Sequence, residues 1–166
     1  MAGSVDLVTV AQAMHWFDFD RFFARVNTMV KPGGCVAAWT YTLPRISPAV
    51  DEVMDAFYEK SHPFWEPQRR YIDEQYRTIP FPFSPLPGRS DTGPISFECT
   101  KGMRVEDLIG ALLSWSTTQT AKERGVELVD EETRKDFEHV WGEAEVQTAR
   151  WPVYLLVGVV MPLQHT

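Results

Sequence analysis

Residues 5–41 constrain the fold more strongly than any other part of this sequence. Residues 6–10 form a short β-branched apolar run, which is typical of a strand buried on both faces. Phenylalanine and valine then recur at three- and four-residue spacing over residues 19–30, which predicts an amphipathic helix. Proline and glycine in residues 31–34 end that helix, and a second apolar run follows at residues 35–39. This succession predicts a βαβ unit with two parallel strands and a right-handed crossover.

A ligand-binding edge is expected where these two strands end, because open α/β sheets bind ligands beyond the carboxyl ends of their parallel strands. The two ends fall at residues 11–16 and 39–43. The side chains there that could contact a ligand are Gln12, His15, Trp16, Thr40 and Tyr41. A buried histidine or tryptophan is often a packing residue. The alternative that these aromatic groups only cover the sheet edge therefore stays open.

The same segment carries a recognisable motif. It reads Asp-Leu-Val-Thr-Val-Ala-Gln-Ala-x-His-Trp-Phe-Asp, followed by a phenylalanine-rich helix, Lys-Pro-Gly-Gly and a strand ending in Trp-x-Tyr. In these residues the chain resembles the class I S-adenosylmethionine-dependent methyltransferases, in particular the small-molecule enzymes related to trans-aconitate methyltransferase. The resemblance implies that residues 6–11 are the fourth strand of that fold and residues 36–39 the fifth. It continues more weakly in residues 76–83, 114–116 and 151–158.

The resemblance also implies a cofactor, S-adenosylmethionine, and residues that would line it. Ala11, Gln12, Ala13 and Trp16 follow the fourth strand and are the expected cofactor contacts. His15 is the catalytic candidate, since no other residue near the sheet edge could deprotonate a methyl acceptor at neutral pH. A carboxylate acceptor needs no base, and His15 would then only orient the substrate or stack on it.

The residues implied for binding the methyl acceptor are Tyr41, Trp65, Tyr71, Trp115 and Ser116. For Trp65 and Tyr71, the alternative is that they pack a helix at residues 68–76 onto the body of the protein. The hydroxyl of Ser116 could bond a substrate carboxylate, and the alternative is a cap on a helix at residues 118–124. Methyl transfer from a sulfonium mainly requires that two reactants are aligned and water is excluded. A pocket of aromatic groups with few titrating side chains suits that chemistry.

One part of the family's cofactor site has no counterpart in this sequence. The family holds its cofactor with a glycine-rich loop after the first strand and an acidic residue at the end of the second. This chain contains no Gly-x-Gly, and its motif begins close to Met1. We therefore expect the first three strands to be absent. The chain would be either the C-terminal piece of a longer enzyme or a shortened product that begins at Met1.

The expected fold class is α/β: an incomplete doubly wound, Rossmann-like sheet with two parallel strands, a C-terminal antiparallel pair and helices. Two functional hypotheses follow. The first is methyl transfer to a small-molecule acceptor, with the glycine-rich cofactor loop missing from this chain, which alone would be inactive or weakly active. The second is a non-catalytic, truncated module for binding or dimerisation. Without the first strand, the fourth would expose its hydrogen-bonding edge, which predicts a homodimer through that edge.

The rest of the chain predicts further helices and a second pair of strands. Helices are expected at residues 48–60, 68–76, 105–113, 118–124 and 130–141. Strands are expected at residues 95–100 and 151–160, paired antiparallel, with Ile95, Phe97 and Cys99 pointing inward. Residues 1–166 are expected to form one domain, with a βαβ core in residues 1–43, a substrate-side insertion in residues 44–94 and C-terminal elements in residues 95–166.

Composition excludes several function classes. At 166 residues and 44% apolar content, the chain is long enough for a hydrophobic core, and its net charge of −7 argues against nucleic acid as a partner. The longest apolar stretch, residues 153–161, is about half of a membrane span, and the N-terminus has no secretory signal pattern. Cys35 and Cys99 are expected to be free thiols in a reducing, cytoplasmic compartment. The histidines are scattered, with no metal-ligand spacing.

Overall fold

The computed structural model describes residues 3–161, which form a mixed α/β structure. The strands are β1 (Val5–Ala11), β2 (Val30–Tyr41), β3 (Ile95–Met103) and β4 (Gln147–Val159). The α-helices are α1 (Phe19–Met29), α2 (Pro48–Ser61), α3 (Arg69–Asp73), α4 (Val105–Ser114), α5 (Ser116–Glu123) and α6 (Glu131–Trp141). Short 3-10 turns lie at Met14–Trp16 and His62–Phe64. Among the described residues, none of the helices has the length and apolar character that crossing a membrane would require.

The four strands form one sheet in the order β1-β2-β4-β3. β1 and β2 are parallel, with Val8 opposite Val36. β2 and β4 are antiparallel, with Ala37 opposite Val157. The α/β fold class is therefore confirmed, with a parallel pair from the βαβ unit and an antiparallel C-terminal strand beside it in an open sheet.

Helix α1 forms where the phenylalanine spacing predicts it. Asp18 caps its N-terminus, since its carboxylate accepts a hydrogen bond from the backbone N–H of Arg21 at 3.1 Å. The helix ends at Met29, because Val30 is already extended and begins β2. Gly33 has φ of +83°, a conformation that glycine adopts without strain. The helix therefore ends one residue before its predicted bound, and residues 31–34, which were predicted to stop it, lie within β2, which starts earlier than predicted.

The chain divides into two compact units, each with a hydrophobic core of its own. The first unit comprises the segment up to Thr42, Gln68–Phe97 and the segment from Pro152 onward, and the second comprises Leu43–Pro67 and Glu98–Trp151. Buried residues in the core of the first unit include Val10, Phe23, Val26, Val36, Ala38, Tyr76 and Leu156. Those in the core of the second include Val50, Met54, Phe57, Leu112, Phe137 and Trp141. The division of residues 1–166 expected from the sequence stays a prediction.

Two predictions about strand burial are wrong. β1 was expected to be buried on both faces, yet Val8 and Val10 pack on the core while Leu7 is 54% exposed. In β3, Phe97 is 48% exposed and Cys99 is exposed, so the expected inward face is not buried. Both strands lie at an edge of the sheet. Alternation in a sequence shows which residues share a face, but not whether another element packs on that face.

Helices α2, α4 and α6 agree with their predicted positions within one residue. The other two helices differ more. α3 is shorter than residues 68–76, because Gln75 and Tyr76 have φ of +59° and +61° and cannot continue a right-handed helix. α5 starts at Ser116, two residues before the prediction. The final strand also starts earlier, at Gln147, instead of at residue 151.

Candidate functional site

The candidate site lies at the carboxyl ends of the parallel strands β1 and β2. Directly after β1, the backbone N–H of Gln12 donates to the carbonyl oxygen of Trp39 at 2.9 Å. Gln12 has φ of +49°, which is uncommon for a residue other than glycine. Backbone strain of this kind persists only where surrounding contacts enforce it, and it is concentrated at functional sites. The contacts of the Gln12 side chain show what enforces it here.

The Gln12 amide holds the end of β2 in place. Its Oε1 accepts hydrogen bonds from the Thr40 hydroxyl at 2.8 Å and from the Tyr41 backbone N–H at 2.9 Å. Its Nε2 donates to the Tyr41 carbonyl oxygen at 3.2 Å. Both lone pairs of the amide oxygen are therefore used. A cofactor contact by Gln12 stays a prediction, and it would have to use the second amide hydrogen or the backbone.

His15 and Tyr76 form a buried polar pair near the hydrogen bonds that Gln12 makes. His15 Nδ1 lies 3.1 Å from the Tyr76 hydroxyl oxygen, and the two residues are 4% and 0% exposed. The ring of Trp16, which is 51% exposed, lies 4.9 Å from the His15 ring. Sequence reasoning assigned no role to Tyr76, although it begins the Tyr-Arg-Thr-Ile-Pro-Phe-Pro-Phe stretch of the resemblance. Its partner is 61 residues away in the chain, so local pattern could not reveal the pair.

Burial favours the uncharged form of both members of the pair. Desolvation by burial is the larger cause and the positive charge of Arg69 the smaller one, and together they lower the pKa of His15 from 6.5 to about 4. Desolvation also raises the pKa of Tyr76 from 10.0 to about 12, although hydrogen bonds with Thr40 and with the backbone of His15 and Met14 oppose this shift. The site therefore presents a neutral imidazole whose orientation is held by a neutral phenol.

Two of the predicted acceptor-binding residues also lie in the first unit. Tyr41 ends β2 and is 43% exposed. Tyr71 meets the ring of Phe19 edge-on at 5.3 Å and accepts a hydrogen bond from Arg70 at 3.0 Å. Tyr71 therefore packs α3 against α1. This packing role is the alternative to substrate contact that the sequence left open. Neither observation tests substrate binding, which stays a prediction for both.

The other three predicted acceptor-binding residues lie in the second unit. The rings of Trp65 and Trp115 are 5.7 Å apart, and Trp65 Nε1 donates to the Ser61 hydroxyl at 3.0 Å. Ser116 is exposed and is the first residue of α5, whose N-cap is Trp115 without a side-chain cap. The interpretation of Ser116 as a helix cap is therefore wrong. Substrate contact by these three residues stays a prediction.

The described residues show no arrangement typical of a metal centre. Within residues 3–161, no group of three or more His, Cys, Asp or Glu side chains is placed to hold a metal ion. The chemistry that this part of the chain can perform at the strand ends is binding, orientation and proton acceptance by an uncharged imidazole.

The lowered pKa of His15 predicts that stability falls as the pH falls from 6.5 towards about 4. In this window the unfolded chain protonates His15 and the folded chain does not, so protonation favours unfolding. Above pH 6.5 the stabilisation is fully present. We expect the free energy of unfolding to fall by about 2 kcal/mol across this pH range, after allowance for solvent screening.

Urea unfolding measured at several pH values checks this expectation, and an NMR titration of the His15 ring checks it independently. His139→Gln is the matched control, because it replaces a histidine that is exposed on α6. A His15 ring that titrates near 6.5 in the folded chain would contradict the prediction.

The chain is similar to three proteins assigned as methyltransferases. A Dictyostelium discoideum methyltransferase is 29% identical over 165 residues, which cover 95% of this chain and 60% of that protein. A Saccharomyces cerevisiae S-adenosylmethionine-dependent methyltransferase is 30% identical over 80 residues, or 46% of this chain and 25% of that protein. The solved structure of a type II methyltransferase from Anaeromyxobacter dehalogenans is 33% identical, with a TM-score of 0.79, over 97% of this chain and 67% of that one. No protein-family model matches the chain. The chain thus spans 60% of the length of the Dictyostelium relative.

Proposed function

The chain belongs to the class I methyltransferases, and from this premise we propose that it serves S-adenosylmethionine-dependent methyl transfer to a small-molecule acceptor. The observation that carries the proposal is the edge at the ends of β1 and β2. There a strained Gln12 and the buried His15–Tyr76 pair lie where parallel sheets bind ligands. The chain spans only part of the Dictyostelium relative, so the activity proposed is that of the whole protein.

The residues at the strand end fit the cofactor. Ala11 and Ala13 have small side chains, so the backbone beside them is open to close approach. Trp16 is 51% exposed and offers a ring face on which an adenine or a sulfonium cation can lie. When bound, S-adenosylmethionine supplies an electrophilic methyl group and a neutral thioether as leaving group. We assign Ala11, Gln12, Ala13 and Trp16 to holding it.

The pKa of His15 narrows the class of acceptor. A general base works best when its pKa lies near the operating pH, and the pKa of His15 is about 4. At neutral pH His15 is therefore a weak base, better suited to orienting an acceptor than to deprotonating one. An acceptor that is already ionised, such as a carboxylate, needs no base, because its oxygen attacks the methyl carbon directly. We propose such an acceptor, with Tyr41 as its contact at the end of β2.

Calorimetry with S-adenosylmethionine tests the proposal on the full chain. We expect weak binding, with a dissociation constant of up to about 1 mM, which corresponds to roughly 4 kcal/mol. Trp16→Ala should weaken binding about tenfold, because it removes the exposed ring face. Phe97→Ala is the matched control, since it removes a similarly exposed aromatic ring on β3.

Failure to bind S-adenosylmethionine would favour the second functional hypothesis. If the chain releases no heat with millimolar S-adenosylmethionine, the non-catalytic binding or dimerisation module becomes the better description. Equal affinity in the Trp16→Ala and Phe97→Ala variants would contradict the assignment of Trp16 to the cofactor.

A further inference from the structure

Strand β3 differs from the other strands in its exposure. It lies at one end of the sheet order, and in the described part of the chain it pairs only with β4. All residues from Ser96 to Gly102 are exposed, on both faces of the strand. An edge strand with unpaired N–H and C=O groups is a template for pairing with another strand. β3 is nine residues long, which is longer than the average strand.

The sequence of β3 is compatible with pairing to itself. Two copies related by a two-fold axis can pair antiparallel only with one residue opposite its own counterpart. When that residue is Cys99, the whole strand pairs, since Ile95 then lies opposite Met103 of the second copy. Any other centre leaves some of the strand unpaired.

The charges in this register are also compatible. Glu98 lies opposite Thr100, and Lys101 lies opposite Phe97, so no two like charges face each other. Glu98 is already paired within its own chain, with its carboxylate 3.8 Å from Arg150. A register centred on Glu98 or on Lys101 would instead place two like charges directly opposite each other. The register that pairs the most residues thus also avoids repulsion.

We propose that β3 is a self-association surface, and that two copies of the chain join their sheets by antiparallel pairing of β3 about Cys99. The pairing would satisfy the free backbone groups of β3 and cover the ring of Phe97, which is 48% exposed. The net charge of −7 on each copy opposes association, so the dimer should be favoured by rising ionic strength. This proposal is independent of the methyl-transfer function.

The two cysteines of the chain provide the test. Residues opposite each other in antiparallel strands have Cα atoms about 4.5–5.5 Å apart, which is within the range that a disulfide spans. Oxidation by copper phenanthroline and oxygen should therefore link two copies through Cys99, as seen on a non-reducing gel. Cys35→Ser should still form the linked dimer, and Cys99→Ser should not.

A second variant tests the pairing without forming a disulfide. Cys99→Lys places two ammonium groups opposite each other on the axis and should weaken the dimer at least about tenfold in light scattering. Cys99 is exposed, so the fold should tolerate this change. Val126→Lys adds the same charge at a 38% exposed position of the second unit and should leave the dimer unchanged.

Two results would overturn the proposal. The first is a chain that stays monomeric at every concentration and ionic strength. The second is a dimer that persists in Cys99→Lys. In that case Leu7→Lys distinguishes the alternative, because loss of the dimer there would place the interface at the β1 edge, as the sequence predicted.

Discussion

Replacing Tyr76 with alanine is expected to lower the free energy of unfolding by about 4 kcal/mol, and replacing it with phenylalanine by about 2 kcal/mol. Tyr76 is 0% exposed, so alanine leaves a cavity in the core of the first unit. Phenylalanine keeps the ring but removes the hydroxyl, which leaves the buried His15 Nδ1 without its partner. The φ of +61° at Tyr76 is equally unfavourable for all three residues, so backbone strain cancels in the comparison.

Urea unfolding monitored by circular dichroism measures both variants. Tyr41→Phe is the matched control, because Tyr41 is 43% exposed and the loss of its hydroxyl should change stability by less than about 0.5 kcal/mol. If Tyr76→Phe were as stable as the parent chain, the hydrogen bond to His15 would contribute nothing to the fold.

Replacing Phe137 with alanine should destabilise the second unit by about 4 kcal/mol. Phe137 lies on α6, is 0% exposed and contacts the ring of Phe57 at a centroid distance of 6.3 Å. Thr133 and Trp141, one turn away on either side, are also buried, so this face of α6 packs closely and has little freedom to close a cavity.

Thermal and urea unfolding of Phe137→Ala give the measurement. His139→Ala is the control on the same helix, and because His139 is exposed it should change stability by less than about 0.5 kcal/mol. Similar effects of the two substitutions would show that the core of the second unit is not closely packed around Phe137.

The order of elements could be read from the sequence to the extent that it depends on local signals. The βαβ unit was predicted from apolar runs and the three- and four-residue spacing of phenylalanine, and both signals arise from the geometry of a single element. The strand β3 was also placed correctly, but its burial was not. Phe97 and Cys99 alternate as a buried face would, yet both are exposed in this edge strand.

The sequence indicated where the candidate site should lie, but not the contacts within it. Its location followed from the rule that ligands bind at the carboxyl ends of parallel strands. The contacts within it join distant residues: Gln12 holds Tyr41 across 29 positions, and His15 meets Tyr76 across 61. No local pattern encodes such pairs. The sequence did not indicate that Gln12 holds the end of β2, and its contact with a cofactor stays a prediction.

By itself, the sequence determined most of the segments that become strands and helices, where α1 begins, and which two parallel strands end at the candidate site. These depend on side-chain periodicity, capping and turn residues, which act over a few positions. Only the tertiary structure decided the burial of each strand and the lowered pKa of His15. Both depend on which residues, distant in the chain, pack against a given position. Such neighbours cover the face of a strand, and the desolvation that they cause shifts a pKa. The neutral, oriented imidazole at the site is therefore a property of the fold.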